Sequence, residues 1–120
     1  MVQGVFVRDI PFIPVTVASA LAVQNPFFIL DTGFTGDLQV TPKIATDLGL
    51  EVSGVINTRI ANGDVIAMQT ANAIASMQGV NKIVQVVISN SMPLAGISLL
   101  TKFGFTASVD CKHRIVTLTS

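Results

Sequence analysis

A two-residue alternation of apolar and polar positions runs through much of the chain. It is clear in Pro14-Val15-Thr16-Val17, in KIVQVVI from Lys82 to Ile88 and in RIVTLT from Arg114 to Thr119, where alternating or β-branched residues predict strands. Turn signals separate such runs: Gln24-Asn25-Pro26, Asn62-Gly63-Asp64, Gln78-Gly79-Val80-Asn81 and Asn90-Ser91. Asn62-Gly63 joins the runs TRIA and DVIAM, and Asn-Gly is the strongest short hairpin signal. Many short strands at close spacing predict a sandwich or a small barrel.

Two stretches break the alternation. Thr41-Pro42 reads as an N-cap followed by Pro at the first helical position. Ile44, Ala45 and Leu48 then form one apolar face, and Gly49 can end the helix. Ser98 to Phe103 can form a second helical turn, ended by Gly104. The expected class is therefore all-β, with one or two short helices.

One apolar run ends unusually. Phe27-Phe28-Ile29-Leu30 reads as a buried strand, and Asp31-Thr32-Gly33 follows at once. Near-complete burial is expected at Asp31, where an unpaired carboxylate costs several kcal/mol. Asp31 is then either a turn residue closing the strand or a group whose chemistry justifies its place. A faint internal repeat surrounds it. Ile29-Leu30 leads into Asp-Thr-Gly and a short helix ending LGL; Pro93-Leu94 leads into Ala-Gly and a short helix ending FGF. Two such halves about a pseudo-twofold would close a small barrel.

Composition narrows the function classes. The 120 residues can bury one modest core. Half are apolar and the formal net charge is zero, which argues against a nucleic-acid-binding surface and against disorder. An apolar, weakly charged surface on so small a chain implies cover by a partner, most simply a second copy of itself. The one cysteine, Cys111, can form no intrachain disulfide; it reads as a small buried hydrophobe and fits a cytoplasmic setting. His113, between Lys112 and Arg114, reads as a turn residue, and no zinc set is evident. Ile10 to Leu30 is apolar, but Pro11, Pro14 and Pro26 break it, so neither a spanning helix nor a signal peptide is expected.

The segments LDTGFTG and, much later, PLAGISLLTKFG carry a resemblance. With the hairpin at Asn62-Gly63 and the stretch TPKIATDLGL between them, the chain resembles the retropepsin-like (clan AA) aspartic proteases. The small single-domain microbial members are nearer than the viral ones. The similarity runs from about residue 13 to the C-terminus and implies a closed β barrel, half of a two-fold dimer, with residues 1–120 as one protease domain.

Aspartic proteolysis needs two carboxylates close together, sharing a proton and holding a water. The chain has one Asp-Thr-Gly, and Leu94-Ala95 occupies the matching turn, so the resemblance implies that Asp31 pairs with its own copy across a homodimer. It further implies that Thr32 and Gly33 support the active turn. Ala61, Asn62, Gly63 and Asp64 would form a flap over a peptide substrate, with Phe34, Leu94, Ala95 and Gly96 lining the cleft. No metal, organic cofactor, nucleic acid or membrane partner is implied. The chain departs from the viral pattern at Phe34-Thr35-Gly36 and at Ile97, where an Arg is usual. It departs from the microbial one at Ala95 and at Ser98, where an acid is usual. Two other readings remain: a catalytically silent peptide-binding or dimerisation module, and an unrelated monomeric barrel in which Asp31 is only a turn residue.

Overall fold

The structure, a computed structural model, describes residues 1–59 and 62–120. The described residues form thirteen strands and two short helices. In chain order these are β1 (Val2–Gln3), β2 (Val5–Val7), β3 (Ile10–Pro14), β4 (Thr16–Ala18), β5 (Val23–Gln24), β6 (Phe27–Leu30), β7 (Leu38–Val40), α1 (Pro42–Leu48), β8 (Gly54–Arg59), β9 (Val65–Met77), β10 (Val80–Ile88), β11 (Leu94–Ala95), α2 (Ile97–Phe103), β12 (Thr106–Asp110) and β13 (Ile115–Thr119). The chain is mostly β, as the alternation predicts. The apolar stretch from Ile10 to Leu30 is four short strands, and among the described residues no helix is long and apolar enough to cross a membrane.

A ten-stranded sheet runs in the order β2, β3, β6, β11, β7, β10, β9, β4, β5, with β8 also paired to β9. A smaller sheet holds β1, β13 and β12. Only Val15 separates β3 from β4, yet β3 pairs with β6 and β4 with β9, far apart in the sheet order. One nearly continuous segment bonded at both places requires the sheet to curl into a half-barrel. Ile13, Val15 and Val17 point into its core and are fully buried, with Phe28, Leu38 and Leu99. Each such side chain contributes about 1.5–3 kcal/mol relative to exposure.

Local signals explain the rest. β9 and β10 join through Gln78-Gly79, both with left-handed φ (55° and 74°). Val80 and Asn81, expected in the turn, already pair with Met77 and Ser76 in the ladder, because a two-residue turn of this hand matches the strand twist. Cys111 corrects the expectation of a buried thiol. It lies exposed in the turn between β12 and β13, where the connection runs over the surface. α1 forms as expected: the Ile44 N–H donates to the Thr41 hydroxyl oxygen (3.2 Å), Ala45 and Leu48 are buried, and Gly49 ends the helix at φ 66°. α2 ends in the same way at Gly104 (φ 69°).

The Thr41 cap is a specific contribution. Thr41→Ala should lower stability by about 1 kcal/mol, read as a shift of the urea midpoint at unchanged slope. An unshifted midpoint would show that Pro42 and the apolar face suffice to start the helix.

Candidate active site

The site is built where two loops interlock. β11 lies between β6 and β7, parallel to the first (Leu94 opposite Ile29, Ala95 opposite Leu30) and antiparallel to the second (Leu94 opposite Gln39, Ala95 opposite Leu38). The loop from Asp31 to Asp37, which joins β6 to β7, must therefore straddle β11. The Asp31 N–H donates to the Ala95 carbonyl (3.0 Å), Gly96 N–H to the Asp37 carbonyl (2.9 Å) and Ile97 N–H to the Phe34 carbonyl (2.9 Å). The two segments of the faint repeat are thus neighbours, hydrogen-bonded along their length.

Gly96 is dictated by this approach. A Cβ there would stand 2.2 Å from the Gly36 carbonyl oxygen and 2.6 Å from that of Phe34, inside any real contact distance. Its φ of −104° suits any residue, so the requirement is space alone. The Phe34 ring folds back against Gly36 and Gly96, and its N–H donates to the Asp31 carbonyl (3.1 Å). Phe34 therefore packs the loop from within. Ala95 is fully buried, Gly96 is buried, and Leu94 is half-buried.

Asp31 follows the last residue of β6. One carboxylate oxygen accepts the Gly33 N–H (2.9 Å), which holds the turn and orients the carboxyl group. Asp31 is only partly buried, and Thr32 and Gly33 are exposed. The expected near-complete burial is not met in one chain: β6 stops at Leu30 and its apolar register faces the core, while the turn emerges at the surface.

The β8–β9 hairpin projects from the sheet. β10 pairs with β9 only as far as Gln69, so Val65 to Met68 pair with β8 alone. Val65, Ile66 and Ala67 are exposed, whereas Ala71, Ala73, Ala75 and Met77 turn inward further along the same strand. At the tip, the Asp64 N–H donates to the Asn62 side-chain oxygen Oδ1 (2.9 Å), and Gly63 takes φ 92°. Asn62, Gly63 and Asp64 are exposed; Ala61 lies outside the described residues.

Sequence reasoning missed Asp37. It is 4 % exposed, with Oδ2 accepting from Lys102 Nζ (2.5 Å) and from the Gln85 N–H (2.9 Å). Burial pushes its pKa up, but Lys102, the Gln85 N–H and the Ser98 hydroxyl pull it further down, leaving it below the ordinary carboxylate value. Among the described residues no hydrogen-bond partner reaches Oδ1. Ser98 of α2 thus faces this carboxylate from the other loop. The only sequence signal of Asp37 is a lone Asp before the short strand Leu38-Gln39-Val40; the partner lies 65 residues away. His113 is a turn residue, with Nδ1 2.8 Å from Asp110 Oδ2, and this contact lowers the Asp110 pKa.

The curled half-barrel sheet has the architecture of retropepsin-like aspartic proteases. Two solved structures show the likeness. EIAV protease, in complex with an inhibitor, matches with a TM-score of 0.61 and 15% identity, over 82% of this chain and 91% of its own. A retropepsin-like aspartic protease from Rickettsia conorii matches with a TM-score of 0.60 and 18% identity, over 97% of this chain and 86% of its own. At these identities the likeness is one of fold. No family model matches the chain, and no curated protein matches it in sequence.

The lowered Asp37 pKa has a consequence for stability. The ionised group contributes fully above the unfolded value, near pH 4, and its contribution is lost as pH falls through the lower folded value. The parent should therefore lose stability below about pH 4, and Asp37→Asn should flatten that slope. Urea unfolding across the acid range checks this; parallel slopes in parent and variant would contradict it.

Proposed function

We propose that this chain is a homodimeric aspartic endopeptidase. The observation that carries the reading is Asp31, set on an oriented turn at the surface of interlocked loops in a retropepsin-like fold. Peptide hydrolysis by this chemistry requires a second carboxylate to share the proton. Asp37, the other acid of the loop, is engaged by Lys102, so the second group is the Asp31 of a partner chain related by a twofold axis. One carboxylate removes a proton from the bound water while the other donates to the peptide carbonyl oxygen. Exposed Thr32 and Gly33 would then meet their counterparts at the interface. Exposed apolar residues such as Val5, Val7, Ile97 and Ile115 are consistent with cover by a partner.

On this reading residues 1–120 act as one domain, and two curled sheets complete the barrel-like body around a shared cleft. The projecting β8–β9 hairpin is the flap, with Asn62, Gly63 and Asp64 at its tip. It closes over an extended peptide held by main-chain hydrogen bonds and excludes water. Leu94, Ala95 and Gly96 back the cleft from within the loops, and Phe34 shapes its floor. The apolar setting favours apolar residues on both sides of the cut.

Asp31→Asn should abolish cleavage of a diverse peptide mixture, by about 1,000-fold or more, while circular dichroism and sedimentation stay those of the parent. The parent should be most active at acidic to mildly acidic pH, because one carboxyl of the pair must stay protonated. A variant that cuts as fast as the parent, or an optimum near pH ~9, would contradict the mechanism.

A further inference from the structure

Asp37 joins three elements through one side chain and one carbonyl. Its carbonyl accepts the Gly96 N–H at the exit of β11, its carboxylate accepts the Gln85 N–H of β10, and Lys102 of α2 closes on the same oxygen. It is also the last residue of the loop that begins at Asp31. The loop's start is tied to Ala95 and its middle to Ile97, so Asp37 anchors the far end. A carboxylate at 3 % side-chain exposure is an expensive anchor unless its charge has a use. A neutral side chain at this surface-proximal loop would have avoided the desolvation.

We infer that Asp37 and Lys102 form a positioning pair that fixes the Asp31 turn through the interlocked loops. The inference rests on the aspartic protease reading. Asp31 must meet its counterpart at close range, so a small drift of the loop lowers the rate of the chemical step more than it lowers peptide binding. Peptide binding depends mainly on the flap and on main-chain contacts, which the pair does not touch. α2 itself offers an alternative seat for the acid. Ser98 precedes Lys102 by four residues, the favoured order for an acid–base pair on a helix, and its hydroxyl already favours the Asp37 charge.

Three variants test the pair: Asp37→Asn, Lys102→Gln and the double Asp37→Asn/Ser98→Asp. Each single variant should lower kcat by about 10- to 100-fold with KM within about two-fold of the parent. Amide exchange should quicken at Asp31, Gly96 and Ile97 and stay unchanged in β12 and β13. The double variant should return both readouts to near the parent, since an acid again faces Lys102. A folded single variant with parental kcat and parental exchange at those three amides would overturn the pair. If the single variants do not fold, the double variant decides: parental exchange at the three amides supports the pair, and quickened exchange overturns it. A parent that cleaves no peptide would sink the protease reading, and amide exchange alone would then decide for or against the pair.

Discussion

The close passage of Gly96 beneath the Asp31–Asp37 loop is the contact on which the rest of the site depends. Three main-chain hydrogen bonds of 2.9–3.0 Å cross it, and no side chain larger than hydrogen fits at its centre. The bonds are main-chain, and the Asp37–Lys102 pair closes the far end of the loop that they hold. It also fixes where Asp31 emerges. The carboxylate follows a buried strand, turns on its own bond to Gly33, and stands at the surface rather than in the core.

The crossing links the two parts of the molecule with different mechanical roles. The curled sheet, lined by Ile13, Val15, Val17 and Phe28, is a rigid support for both loops. The β8–β9 hairpin extends past the last β10 partner as a two-stranded ribbon with both faces open. Such a ribbon has few buried contacts, and local opening there costs little.

Much of this was legible in the chain. The Thr41 cap, the glycines at 49 and 104, the Asn62-Gly63 turn and the alternation of β10 and β13 are local signals, and each formed, with β10 starting two residues earlier than its alternation predicts. The Asp-Thr-Gly turn and the apolar-Gly turn were both visible, but not the parallel pairing that sets them side by side. Contacts between distant positions leave no local pattern, which is why Asp37 and Lys102 went unread. Cys111 was misjudged for a related reason: a cysteine's usual burial says nothing about a hairpin connection that must lie outside. Asp31 was expected to be buried because its strand is, yet the strand ends one residue earlier.

Sharing of one site between two chains is tested most directly by mixing. Parent and Asp31→Asn chains, combined in equal amounts and allowed to exchange subunits, should show about one quarter of the activity of parent alone at the same total chain concentration, because only parent pairs hold both carboxylates. Retention of about one half would mean that each chain works alone, and would contradict a dyad built across a twofold axis.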